Sequence, residues 1–164
     1  MRRRGLRALQ PKAYTPRTMD STHGLRCSPN RLLDQSKPRQ ANRVWIPSTC
    51  LPLANGTWAY LCAFQDGCTK QVVGRHEAAT MPEELVTTAL QRAFLAQPRT
   101  PALVVHSDRG GQYCGNACRV LLHDHGAVRS QSRRGECDDN ALPGTTQVES
   151  LGSSFKTEEL ERRE

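Results

Sequence analysis

Apolar positions are sparse and irregular through the first 42 residues and become periodic from Arg43 onward. The early stretch has prolines at 11, 16, 29 and 38 and no hydrophobic period, so it reads as an extended or poorly ordered arm. Arg43-Val44-Trp45-Ile46 starts a strand-like run. Pro47 and Pro52 count against it as an interior strand, because proline has no N–H to give a ladder. Asn55-Gly56 is a hairpin signal, and Thr57 to Phe64, with Trp58, Tyr60 and Leu61, reads as a buried strand. Asp66-Gly67 marks a second tight turn, and Thr69 to Gly74 reads as a third strand. Three strands on two tight turns make an antiparallel meander.

The period then changes. Thr80 stands three before Glu83, a capping-box pattern. Leu85, Ala89 and Ala93, with Val86, Leu90 and Phe94, repeat at helical spacing and predict a helix over about 81–96, ended by Pro98 and Pro101. Ala102 to Val105 is a short buried strand with His106-Ser107-Asp108 at its carboxyl end. A helix over about 112–124 follows, with Tyr113, Ala117, Val120 and Leu121 on one side, then a last strand over 127–130. Residues 131–146 read as a loop and 147 onward as a final helix. The order β-β-β-α-β-α-β-α implies an α/β fold, a mixed five-stranded sheet flanked by helices.

At 164 residues and 18.3 kDa the chain has room for one domain, divided here into a basic arm over 1–40 and a core over 41–164. No apolar run nears the roughly 20 residues of a membrane span. The basic start, Met1 to Arg4, has no apolar stretch after it and is not expected to act as a secretory signal. Seven scattered cysteines, an odd number, fit a reduced, intracellular (cytoplasmic) protein. Charge is the most uneven property. Residues 1–43 carry eleven Lys/Arg and two acids, a net +9, while the remaining 121 residues carry −2. Such an arm suits a polyanion, because neutralising phosphates releases counterions; a solvated tail is the other reading.

The stretch His106-Ser107-Asp108-Arg109-Gly110-Gly111-Gln112-Tyr113 sets one carboxylate at a strand end, before a Gly-rich turn into a helix. A carboxylate there suits a hard cation, with room beside it for a phosphate; a turn or cap role is the plainer alternative. The same stretch resembles the signature around the second catalytic Asp of bacterial insertion-sequence transposases with a retroviral-integrase-like (DDE) core. Pro16 to His23 is similar to that family's linker, and Asn42 to Trp45 to the lead-in of its first strand. Ser132 to Gly135, Cys137 and Asp139 to Ala141 resemble its loop. Glu149-Ser150, with Ser153-Ser154 and Lys156 to Glu158, resembles its third-carboxylate helix. The resemblance spans roughly residues 13–160 and implies a ribonuclease-H-like fold, DNA as partner, a homo-oligomer, and two Mg²⁺ or Mn²⁺ ions serving phosphoryl transfer in DNA transposition and integration. Carried over by position, it makes Asp108 and Glu149 catalytic metal ligands, and Arg109, Gln112, Arg133, Arg134 and Lys156 DNA contacts.

Three departures accompany it. The first carboxylate, expected three residues after Trp45, is Ser48, and a neutral alcohol cannot replace an anion that bridges two cations. The family separates its second and third carboxylates by about 35 residues, which points to Gly144 rather than Glu149. The family core is expected to continue past the position of Glu164 and a helix-turn-helix to precede it, so this stretch reads as a truncated copy. Asp66 is no substitute: a hairpin turning at 55–56 pairs Ser48 with Ala63, which leaves Asp66 roughly 10 Å farther along and on the other face. The functional expectation is therefore a transposase core impaired in catalysis, the alternative being an inactive remnant that binds nucleic acid through its arm. A zinc site from Cys114, Cys118, His123 and His125 is a distant third reading. His106 is read either as a residue that orients a ligand or as a packed histidine.

Overall fold

The computed structural model describes residues 23–33, 35–50 and 60–134. Its elements are β1 (Val44–Cys50), β2 (Tyr60–Asp66), β3 (Val72–Ala78), α1 (Glu83–Ala96), β4 (Val104–Ser107), α2 (Gly111–Cys114), α3 (Asn116–Asp124) and β5 (Val128–Gln131). The five strands form one mixed sheet in the order β3-β2-β1-β4-β5. The meander β1-β2-β3 is antiparallel, and β1, β4 and β5 run parallel. This is the mixed five-stranded sheet that the element order implied and the ribonuclease-H-like arrangement that the resemblance implied. The expected turn at 55–56 and the expected helix from 147 lie outside the described residues.

The main core lies between the sheet and the helices. Trp45, Phe64 and Val105 come from the strands, Leu85, Leu90 and Ala93 from α1, and Leu122 from α3. Each large side chain removed from water there contributes roughly 1.5–3 kcal/mol. The opposite face carries a smaller cluster of Leu32, Val44 and Ile46, with Val104 against it. Leu32 belongs to the arm, whose described residues form no helix or strand and yet are seated on this face.

Several local expectations need correction. The Pro47-bearing run is the central strand, not an edge. Its ladder to β4 is limited to Val44↔Val104 and Trp45↔Val105, so Pro47 stands two residues past the end of that pairing and interrupts nothing on that side. β3 begins at Val72 rather than Thr69, because the turn after Asp66 is longer and bends through Lys70 at φ 66°. The Thr80–Glu83 capping box does not form. Pro82 occupies the cap position without a side-chain bond, and the Glu83 carboxylate instead accepts the Cys118 backbone N–H at 3.0 Å. Glu83 thereby caps α3, whose own cap residue, Gly115, has no side chain to do it. A Cβ on Gly115 would run into that carboxylate, and here the expected single helix over 112–124 divides into α2 and α3.

Candidate active site at the ends of the first and fourth strands

The parallel pairing of β1 and β4 ends at Trp45↔Val105; counting three residues on in each strand brings Ser48 and Asp108 to corresponding positions beyond it. Across the hairpin Ser48 pairs with Ala63, the partner expected from sequence. By strand alternation Ser48 shares a face with Val44 and Ile46, away from α1, and it is buried.

Asp108 lies one residue past the end of β4. Its Oδ1 accepts the Gly110 N–H at 2.7 Å, a turn that fixes the carboxylate while the chain enters α2. The turn role is the one seen, and it leaves the side chain at the strand end. A Cβ on Gly110 would lie 2.9 Å from Asp108 Oδ1 and 3.0 Å from Gln112 Oε1, so glycine lets these two side chains flank the same backbone. Burial pushes the Asp108 pKa up, and the Gly110 N–H opposes that by favouring the charged form.

The backbone around Asp108 is braced from three sides. Its carbonyl accepts Ser107 Oγ–H at 2.9 Å and Gln131 Nε2–H at 3.2 Å. Arg109 Nε donates to the Ser132 carbonyl at 2.7 Å, and the Arg109 carbonyl lies 2.7 Å from His23 Nε2. Gln131 is the residue that sequence reasoning missed. Fully buried at the end of β5, it also accepts the Ser28 N–H at 2.8 Å and donates to Cys114 Sγ at 3.1 Å, tying arm, β5 and α2 to the Asp108 turn. A polar residue at the end of a four-residue strand carries no periodic signal of that role.

Of the other expected site residues, Gln112 is half-buried beside the turn, and Arg133 and Arg134 are exposed just beyond Ser132. Glu149 and Lys156 lie outside the described residues. His106 is packed: it is buried inside β4, its Nδ1 2.8 Å from Ser130 Oγ, which also accepts the Arg31 N–H at 2.9 Å. Asp66 is a turn residue, as expected, holding the Cys68 and Thr69 N–H groups.

Among the described residues no three His, Cys, Asp or Glu side chains converge as metal ligands. The four residues of the zinc reading are dispersed among other tasks. His125 stacks on Phe94 at 4.0 Å and His123 is exposed. Burial pushes the Cys114 thiol up to about 11, against a hydrogen bond from Gln131, and burial with the Glu83 charge pushes Cys118 up to about 12. Protonated thiols are poor zinc ligands. The folded state therefore holds protons that the unfolded chain releases from about pH 9. Stability contributed below that pH should be lost as pH rises through 9–12. Urea midpoints across this range should fall less for Cys118→Ala than for wild type; equal falls would contradict the assignment.

Comparisons with known proteins can be set beside this geometry. The integrase core domain family matches residues 38–137. The "Insertion element IS600 uncharacterized 31 kDa protein" of Shigella sonnei is 34% identical over 155 residues, covering 94% of this chain and 55% of that protein. "Transposase InsF for insertion sequence IS3A" of Escherichia coli K12 is 33% identical over 158 residues, covering 96% of this chain and 53% of that protein. The chain thus spans about half the length of the curated relatives it matches. A chain of the simian T-cell lymphotropic virus intasome, solved by cryo-electron microscopy with PP2A regulatory subunit B56 gamma, superposes with a TM-score of 0.63 at 13% identity. That superposition covers 81% of this chain and 44% of the other, and shows a shared fold.

Proposed function

This chain belongs to the integrase core domain family, and from that premise we propose that it is the DNA-acting core of an insertion-sequence transposase, impaired in catalysis at its first carboxylate position. The observation that carries this reading is the parallel pairing of β1 with β4 at Trp45↔Val105, from which Ser48 and Asp108 each lie three residues on. A family carboxylate at the Ser48 position would stand beside Asp108 at the same edge.

The donor chemistry bears on the metal. Asp108 offers hard oxygen in a partly desolvated setting that disfavours its own charge, which a nearby cation would relieve. Ser48 offers a neutral hydroxyl. The described donors therefore fit one Mg²⁺ or Mn²⁺ at Asp108 and do not fit a pair bridged at Ser48. A bound divalent ion would supply activation of a water or 3′-hydroxyl nucleophile and neutralisation of phosphate charge. The protein's share is to fix Asp108 through the Gly110 N–H and the Gln131 brace, and to meet DNA phosphates with Arg109, Arg133 and Arg134. Glu149 and Lys156 are assigned to the same site by resemblance alone.

A second reading, a remnant that binds DNA without cutting it, is favoured by Ser48 itself and by the +9 arm. Nicking of supercoiled plasmid in Mn²⁺ separates the two. Slow nicking by wild type, lowered at least ~100-fold in Asp108→Ala, supports the catalytic reading. Equal background from both proteins leaves the remnant.

A further inference from the structure

A groove of about 720 Å³ opens on the sheet face opposite the helices, between the arm and the strands. Its floor is formed by Val44, Val104 and Val128, the first residues of β1, β4 and β5. Its walls carry Arg31, Arg39 and Arg43, all exposed, and among the described residues no carboxylate lines it. None of the three guanidinium groups is paired with a carboxylate among the described residues. Arg43 is held in place: Nε donates to Gln40 Oε1 and Nη1 to the Pro101 carbonyl, both at 3.1 Å. The wall bearing Arg31 is anchored through its N–H to Ser130 and by Leu32 in the second core. Three cations thus converge on one concavity, at the cost of mutual repulsion, with an ordered backbone beneath them.

The groove has a fixed relation to the candidate active site. It lies at the leading ends of the parallel strands, whereas Ser48 stands in the trailing half of β1 and Asp108 just past the trailing end of β4. Asp108 is four residue steps along from Val104, roughly 13 Å at about 3.3 Å per residue. That length matches about four base pairs of duplex axis at roughly 3.4 Å each. The arm runs along this face between the two places, so a duplex spanning them would lie over the arm.

We propose that this groove is a second, sequence-independent binding site for the sugar-phosphate backbone of duplex DNA, in which Arg31, Arg39 and Arg43 neutralise phosphates of the segment flanking the one presented to Asp108. The site rests on the reading of the chain as a DNA-acting core, and extends it by giving the arm a fixed role as one wall of a groove rather than a diffuse cationic tail.

The test is a salt titration of duplex binding, read by fluorescence anisotropy with the whole chain and a labelled 30-base-pair duplex. The slope of log K against log salt reports the phosphates neutralised, about 0.9 for each. R31Q/R39Q should flatten the slope by about two and weaken binding at low salt at least ~10-fold. R119Q removes an exposed arginine of α3 and should leave the slope unchanged. Circular dichroism melting verifies folding, and R39Q alone, expected to flatten the slope by about one, serves if the double variant does not fold. An unchanged slope in R31Q/R39Q, or equal flattening by R119Q, overturns the groove. If wild type binds and nicks DNA with that result, the groove alone is wrong. If wild type does not bind DNA at all, the functional reading falls as well.

Discussion

Replacing Asp66 with alanine is expected to cost roughly 3–5 kcal/mol of folding stability, enough to leave a marginally stable domain largely unfolded at 37 °C. Asp66 is 1% exposed and its carboxylate serves four donors. Oδ2 accepts the Asn42 N–H at 2.6 Å; Oδ1 accepts the Cys68 and Thr69 N–H groups at 2.9 and 2.7 Å and Thr69 Oγ1–H at 3.1 Å. Truncation strands the buried Asn42 N–H and takes the acceptor from the part-buried Cys68 and Thr69 donors at the same time. The damage spreads, because Asn42 sits at φ 59° and its Oδ1 accepts Trp45 Nε1–H at 3.0 Å, so the turn orients the largest side chain of the main core. Asp66→Asn keeps one oxygen but turns an amide toward the Asn42 N–H, and should cost less than alanine. Urea unfolding with an unchanged m-value measures both. A loss below about 1 kcal/mol for alanine would mean that the carboxylate is not the keystone of this turn and would reopen it as a displaced metal ligand.

The second large effect is a gain. Ser48→Asp should raise Mn²⁺-dependent nicking by about two orders of magnitude over wild type, since a correctly placed cation is worth several kcal/mol in the transition state and each 1.36 kcal/mol is a factor of ten. Without metal the same substitution should lower stability, because the Ser48 side chain is buried and a second carboxylate level with Asp108 adds like-charge repulsion to desolvation. The two effects share one cause, and metal should reverse the second while producing the first. A gain that persists in S48D/D108A would place the activity elsewhere.

Much of the frame was legible because hairpin geometry and helical period are local rules. Asn55-Gly56 gave the pairing of Ser48 with Ala63 observed between β1 and β2. The stripe Leu85, Val86, Ala89, Leu90, Ala93 gave the buried side of α1. What escaped depends on partners distant in sequence. Pro47 argued against a central strand only until the short reach of the β4 ladder was known. Glu83 looked like a local cap and instead serves a helix more than thirty residues away. The start of β3 was misplaced because the turn uses a lysine, Lys70, at positive φ where glycine or asparagine would have announced it. The strand-end place of Asp108 was legible from its setting and its motif. The brace from Gln131 and the docking of residues 28–32 were not, since a backbone held by side-chain hydrogen bonds leaves no periodic trace.

The claim on which the account depends is that Ser48 and Asp108 flank one cation-holding edge. Thermal unfolding of S48D with increasing Mn²⁺ tests it most directly. Binding to the folded state alone at a hundred times Kd stabilises by about 2.7 kcal/mol. The expected result is a concentration-dependent rise in Tm for S48D that is absent from S48D/D108N. A Tm indifferent to Mn²⁺ in S48D, or an equal rise in both variants, would contradict it.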